Sequence, residues 1–194
     1  MVSGIDPNKV ILTGENPYIR LAHSADGELT TRTSLWKVIM SPFGSGNVLF
    51  IVSTLTNSIP RVYSDNIQLA RWFQRDIAKL QYPPFGDEDL QVIEADFDAY
   101  GEINAFWTET ISSYDDEIVM TWFDIQEPNM INHPPNSRPG RRHGVYACMI
   151  PTAGAQLTIN GTRAEGSTFL SSQFPDTQAM SSLAFSESWV EERN

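Results

Sequence analysis

Cysteine and basic residues are both scarce in this sequence. The single cysteine, Cys148, excludes a disulfide within the chain and a four-cysteine zinc site. Only 13 Lys and Arg stand against 24 Asp and Glu, which gives a formal net charge of −11. General binding to nucleic acid, or to an anionic membrane surface, depends on Lys and Arg meeting phosphate groups. We therefore expect neither nucleic acid nor a membrane among the partners.

Long apolar runs are missing as well. The longest strongly apolar stretch, residues 47–55, is far shorter than the ~20 residues that a membrane-spanning helix needs. Residues 1–8 are polar and lack the apolar segment of a secretory signal. These two features predict a cytoplasmic protein.

The length and composition are typical of one globular domain. The chain has 194 residues, of which 41% are hydrophobic and 19% charged, and chains usually divide into several domains only above roughly 250 residues. We expect a single β-rich domain over residues 1–194. Residues 1–32 are rich in Gly, Pro, Asn and Asp, which predicts a loosely structured N-terminal arm with one short strand over residues 10–13.

One segment has helical periodicity. Asn66 is a favourable N-cap residue, and the apolar residues after it recur at spacings of three and four, as on one face of a helix. The pattern predicts a single helix over about residues 66–80, with one face turned toward the core. The residues expected on that face are Leu69, Phe73, Ile77 and Leu80.

Most of the remaining chain has the character of β-strands. Runs of alternating or continuous apolar residues are separated by turn residues, as expected for short antiparallel strands. Asn160-Gly161 between two alternating runs predicts a tight type I′ hairpin turn. The principal predicted strands cover residues 34–40, 48–55, 90–97, 103–111, 117–126, 144–150, 155–159 and 182–190.

Many short strands with one helix indicate a mainly β fold. An antiparallel sheet of this kind closes, or nearly closes, on itself. We expect a barrel-like sheet of the calycin type or a strongly bent sheet, with the helix packed against it.

Residues 127–143 form the most polar long segment, with four prolines and little apolar periodicity. A loop this long in a compact domain is usually functional or disordered. His133 and His143 lie within or at the end of it, and Asp124 and Glu127 lie where it leaves a strand. Because histidine exchanges protons near neutral pH, these four residues are the candidate acid–base group. The alternative is a polar surface loop without a role in function.

The same segment is the candidate binding site for the polar part of a ligand. Arg138 and Arg141 bring positive charge to an acidic protein and would attract an anionic or carbonyl-bearing molecule. The histidines do not have the close spacing of metal ligands, and no cofactor-binding motif is present. We therefore expect neither a metal nor a cofactor.

Aromatic residues on the predicted strands are candidates for the apolar lining of a pocket. Trp107, Trp122 and Tyr146 occupy strand positions from which they could face the inside of a barrel. The alternative is that they fill the core.

Three functions fit these features. The first is binding of a small, partly apolar organic ligand in a pocket inside or at the mouth of the barrel. The second is a cofactor-independent isomerase, hydratase or lyase that uses histidine and carboxylate chemistry in the same pocket. The third is a structural or interaction protein that forms a homodimer through a sheet face.

Overall fold

The computed structural model describes residues 9–137, 142–170 and 180–191. In this part of the chain, thirteen strands belong to one sheet. They are β1 (Val10–Glu15), β2 (Arg20–Ala22), β3 (Leu29–Met40), β4 (Gly46–Ser53), β5 (Arg61–Ser64), β6 (Val92–Glu94), β7 (Asp96–Glu102), β8 (Phe106–Ser112), β9 (Glu117–Ile125), β10 (Asn129–His133), β11 (Gly144–Ile159), β12 (Thr162–Arg163) and β13 (Ser182–Val190).

The sheet curls into a half-barrel. Ten strands follow one another in the order β6-β5-β4-β3-β1-β13-β11-β9-β8-β7, and β5 with β6 is the one parallel pair of this path. β11 passes from one half of the sheet to the other. Its residues 144–151 pair with β13, and its residues 152–159 pair with β9. The expectation of a mainly antiparallel, barrel-like bent sheet with one helix is confirmed.

The concave face of the curl holds the larger apolar core. Leu35 and Leu49 from one half pack in the same cluster as Met120, Trp122 and Leu157 from the other. All five are fully buried, and full burial of such a side chain contributes about 1.5–3 kcal/mol. This core stabilises the arrangement in which the two halves face each other.

Polar contacts join the two halves at one end of this core. The Tyr63 hydroxyl donates to Asp116 Oδ2 at 2.6 Å, and Arg61 Nη1 donates to the same oxygen at 3.0 Å. Tyr63 and Arg61 lie on β5, whereas Asp116 lies between β8 and β9. Burial raises the pKa of Tyr63 to about 12. The hydroxyl therefore remains a hydrogen-bond donor throughout the neutral pH range.

The helix packs on the convex side of the sheet. It begins with α1 (Ile67–Phe73), continues through a π-helical turn (Gln74–Ala78) and ends in one α-helical turn (Lys79–Gln81). Asn66 caps α1 as expected, because its Oδ1 accepts a hydrogen bond from the Leu69 backbone N–H. In the described part of the chain, no helix has the length and apolar character to cross a membrane.

Three of the four residues predicted on the buried helical face are buried. Leu69, Phe73 and Ile77 pack with Trp36 and Phe50 from the sheet. Leu80 is 38% exposed, so its predicted inward orientation is wrong. A π-helical turn inserts one extra residue, and the residues that follow it no longer continue the face set by α1.

Residues 9–32 differ from the loose arm that their composition suggested. β1 lies in the middle of the sheet, between β3 and β13, and Leu12, Ile19 and Leu21 are fully or almost fully buried. The Gly, Pro, Asn and Asp residues of this region mainly separate short strands. The short strand predicted over residues 10–13 is present within β1, but the loose arm predicted around it is wrong for the part of residues 1–32 that is described.

Residues 127–143 also contain a strand where a loop was expected. β10 pairs antiparallel with β11, with Asn129 opposite Met149 and His133 opposite Val145. The local sequence does not indicate β10, because prolines flank this strand and its stability comes from pairing with β11. The tight turn predicted at Asn160-Gly161 is confirmed, since the two residues have φ angles of 51° and 75°.

Truncation of Phe73 tests the packing of the helix. Its ring is fully buried, 4.9 Å from the Trp36 ring, so Phe73→Ala should lower the free energy of unfolding by about 3–5 kcal/mol through lost burial and a cavity. Urea denaturation measures the loss. The control Ile67→Ala removes a side chain that is 56% exposed and should change stability by less than about 0.5 kcal/mol. A loss below ~1 kcal/mol for Phe73→Ala would contradict the packing.

Gly161 tests the hairpin turn. Space does not limit substitution, because an added Cβ would meet no atom within 4 Å. The backbone conformation does limit substitution, because φ is 75° and a β-branched residue rarely adopts this angle. Gly161→Val should therefore lower the free energy of unfolding by about 1–3 kcal/mol. Gly161→Asn should cost clearly less, because asparagine tolerates this conformation. Equal losses for the two variants would argue against backbone conformation as the cause.

Candidate functional site

The predicted aromatic residues differ in their exposure. Trp122 is fully buried, and its Nε1 donates to the Tyr18 carbonyl oxygen at 3.0 Å. It therefore serves the core. Trp107 on β8 is half-buried, and its ring lies 5.2 Å from the Phe185 ring. Tyr146 on β11 is half-buried, in register with Ser188 of β13. Of the three, Trp107 has the clearest position at the border between core and solvent.

His143 lies on the convex side, near the helix. Its ring centroid is 6.0 Å from that of Trp189, which packs with the helix. Arg142 Nε donates to His143 Nε2 at 3.1 Å. Burial, together with the nearby Arg142 charge, lowers the pKa of His143. The imidazole is therefore held toward its neutral form.

Two of the other predicted acid–base residues lie apart from His143. Asp124 and Glu127 are exposed near the end of β9, and Asp124 has a φ of 52°. The third, His133, is half-buried at the end of β10 and is in register with Val145, two residues from His143. Trp107 faces the concave core, whereas His143 is on the opposite side of the sheet. The described structure places the two histidines near each other but does not gather Asp124, Glu127 and Trp107 with them.

Two of the predicted residues, Arg138 and Arg141, lie outside the described residues. Within residues 9–137, 142–170 and 180–191, no three His, Cys, Asp or Glu side chains lie close enough to hold a metal ion.

The structure places a different polar group on the concave face. Glu109 of β8 is 1% exposed. Its Oε1 accepts hydrogen bonds from Lys37 Nζ at 3.0 Å and from Trp107 Nε1 at 2.8 Å. Lys37 lies on β3, which is separated from β8 by four strands in the sheet order. The Lys37–Glu109 ion pair therefore crosses the interior of the curl.

A second carboxylate faces the same ammonium group. Glu15 of β1 is in register with Lys37, and Glu15 Oε2 lies 3.6 Å from Lys37 Nζ. That distance permits charge attraction but is long for a hydrogen bond. Glu15 Oε2 is buried and accepts no hydrogen bond from any described residue. It is therefore an acceptor that a bound molecule could satisfy. We call Glu15, Lys37, Trp107 and Glu109 the mouth cluster.

Small residues border the mouth cluster on one side. In the pairing of β7 with β8, Ala99 lies opposite Glu109 and Gly101 opposite Trp107. Both small residues are exposed. Gly101 cannot be enlarged, because its φ is 148° and an added Cβ would lie 2.4 Å from the Phe106 carbonyl oxygen. This side of the cluster therefore carries little side-chain bulk.

The charge of the mouth cluster depends on pH. Burial raises the pKa of Glu109, and hydrogen bonds from Trp107 and Lys37 partly oppose that rise by favouring the carboxylate. Lys37 is a quarter exposed, so it can contact both solvent and the buried acid. The cluster therefore combines a buried carboxyl group, an ammonium group and an indole ring at the edge of the core.

Sequence reasoning missed Lys37, Glu109 and Glu15 as site residues. One signal was present, because Glu109 shares a strand face with Trp107 and Ile111 and is the one charged residue on that apolar face. Its partner could not be found in this way. Lys37 is 72 positions away in sequence, and only the curl of the sheet brings the two together.

Comparisons with protein-family models, with curated proteins and with solved structures found no match to this chain. The functional argument therefore depends on the site itself.

Removal of the ammonium group tests the ion pair. Lys37→Met leaves the buried Glu109 carboxylate without its charge partner. Because Lys37 is partly exposed, we expect a loss of about 1–3 kcal/mol at pH 7, below the loss for a fully buried pair. The double variant Lys37→Met/Glu109→Gln should recover most of that loss, since no unpaired charge remains. Urea denaturation of the native protein, the two single variants Lys37→Met and Glu109→Gln, and the double variant gives the coupling energy between the two side chains.

The pH dependence of Lys37→Met gives a second test. In the native protein the Glu109 pKa is above the ordinary value of 4.5, so the folded state binds this proton more tightly than the unfolded state. The contribution of Glu109 to stability therefore decreases as the pH rises from the pKa of the unfolded state to the higher pKa of the folded state. Loss of the Lys37 ammonium group should raise the pKa of Glu109 further. The stability deficit of Lys37→Met should be smaller at pH 4 than at pH 7, and an equal deficit at both would contradict the ion pair.

Proposed function

We propose that the protein binds a small, partly apolar organic molecule at the mouth cluster. One observation supports this most: the buried Glu109 carboxyl group, held by Lys37 and Trp107, lies beside an aromatic pair and next to the small residues Ala99 and Gly101. Ligand sites typically combine apolar and aromatic lining with a few convergent polar groups.

The charges of the cluster favour a ligand that carries an amine or another hydrogen-bond donor. Glu109 and Glu15 supply two carboxyl groups around the single ammonium of Lys37. Glu15 Oε2 lacks a hydrogen-bond donor among the described residues. A donor on the ligand would satisfy this oxygen, while its apolar part would pack against Trp107 and Phe185. The ligand proposed here thus differs in charge from the anionic one suggested by the arginines of residues 127–143.

Three matched probes test this proposal. 2-Phenylethylamine, 2-phenylethanol and 3-phenylpropionate share an aromatic ring and differ in the charge of the polar end. Titration followed by tryptophan fluorescence or calorimetry should give the tightest binding for the amine and the weakest for the carboxylate. Glu109→Gln and Trp107→Phe should each weaken amine binding at least tenfold, about 1.4 kcal/mol.

Tyr114→Ala is the control for these measurements, because Tyr114 is fully exposed and lies in no strand. It should bind the amine as the native protein does. Tighter binding of the carboxylate, or binding that neither Glu109→Gln nor Trp107→Phe alters, would contradict the proposed site.

A second candidate function is cofactor-independent acid–base catalysis at the same place. The supporting observation is the burial of Glu109 beside Lys37 and Trp107, which raises the pKa of its carboxyl group and makes that group a better proton acceptor when it is ionised. Isomerase, hydratase or lyase chemistry would suit such a group. Incubation of carbonyl-bearing probes in D₂O would show catalysis as deuterium incorporation that Glu109→Gln abolishes. Binding of a probe without deuterium incorporation would support ligand binding and contradict catalysis.

A further inference from the structure

The outer edge of β7 is open in the described structure. β7 is the last strand of the sheet path and pairs with β8 alone among the described strands. In an antiparallel strand, alternate residues direct their backbone N–H and C=O groups to opposite sides. About half of these groups on the seven residues of β7 therefore face outward. Such an edge is a template for an added strand.

The side chains on this edge are acidic. Asp96, Asp98 and Glu102 are exposed and, by strand alternation, share one face of β7. The surrounding region has the same sign of charge, because residues 92–125 contain nine Asp and Glu but no Lys, Arg or His. A strand that pairs here would therefore gain from positively charged side chains on that face.

An exposed aromatic pair lies on the same face. Tyr100 is 59% exposed and Phe106 39% exposed, and their ring centroids are 6.2 Å apart. Exposed aromatic rings attract Lys and Arg side chains through cation–π contact and through packing of the apolar stems. Acidic side chains alone could serve to repel other proteins from this edge. An exposed ring pair is not needed for repulsion, so the rings favour binding.

Charge also argues against a second copy of this chain as the occupant. Antiparallel pairing of two β7 strands would set two acidic rows beside each other, and like charges that face each other across strands are destabilising. We propose instead that the β7 edge binds an extended, lysine- or arginine-rich segment of a partner protein, which joins the sheet as a further strand.

A synthetic peptide tests this proposal. The probe is an eight-residue, end-blocked peptide of alternating lysine and valine, labelled for fluorescence anisotropy. The control peptide has the same sequence with N-methyl groups on alternate amides along one edge, so that it keeps the charge but cannot pair. We expect the native protein to bind the probe at least tenfold more tightly than the N-methylated peptide.

Two double variants with the same change in net charge locate the binding. Asp98→Lys/Glu102→Lys should weaken binding of the probe at least tenfold. Glu88→Lys/Asp89→Lys changes exposed acidic residues outside β7 and should change the affinity by less than twofold. Glu109→Gln should also leave the affinity unchanged, which separates this surface from the mouth cluster. Circular dichroism melting checks that each variant is folded.

Several results would overturn the proposal. They are no binding of the probe, equal binding of the N-methylated peptide, or equal effects of the two double variants. The last two would show long-range charge attraction only. A dimer of the native protein in sedimentation velocity that Asp98→Lys/Glu102→Lys dissociates would assign the edge to a second copy instead.

Discussion

β11 pairs with β13 along its first half and with β9 along its second, and this sharing holds the two halves of the sheet face to face. The register with β13 shifts between Cys148 and Ile150, as at a β-bulge, which bends a strand. Farther along, an added Cβ at Gly154 would lie 2.1 Å from the Phe123 ring, so a larger residue there would require this ring on β9 to move. The concave core and the mouth cluster both exist because this one strand serves both halves.

The curl places groups of different kinds along its interior. Apolar side chains such as Leu35 and Met120 fill the middle, and Tyr63 with Asp116 joins the two halves through a hydrogen bond. The Lys37–Glu109 ion pair also crosses between the halves. A buried ion pair is weak support for stability, since apolar residues of similar volume often stabilise a core equally well. Stability alone therefore does not explain this pair, and its position fits the ligand binding that we propose.

Local signals in the sequence allowed part of the fold to be predicted. Asn66 marked the start of the helix, and Asn160-Gly161 marked a turn that needs positive φ, because both features depend on neighbours a few residues apart. Long-range pairing was less accessible. Among the described strands β10 pairs with β11 alone, and the sequence predicted a strand over residues 10–13 but not its place in the middle of the sheet, between β3 and β13. The candidate site was difficult to predict for the same reason. Glu109 could be recognised as an acidic residue on an apolar strand face, but its contact with Lys37 forms only because the sheet curls.

Fluorine NMR of the protein labelled with 5-fluorotryptophan would test the central claim most directly. The chain has five tryptophans, and Trp107→Phe identifies the Trp107 resonance by its loss. The other four, at Trp36, Trp72, Trp122 and Trp189, are buried in the concave core or beside the helix. If a ligand occupies the mouth cluster, addition of 2-phenylethylamine should shift the Trp107 resonance most strongly and leave those of Trp36 and Trp72 unchanged. A dominant shift at Trp72 or Trp189, with none at Trp107, would place the binding site on the convex side and contradict the account.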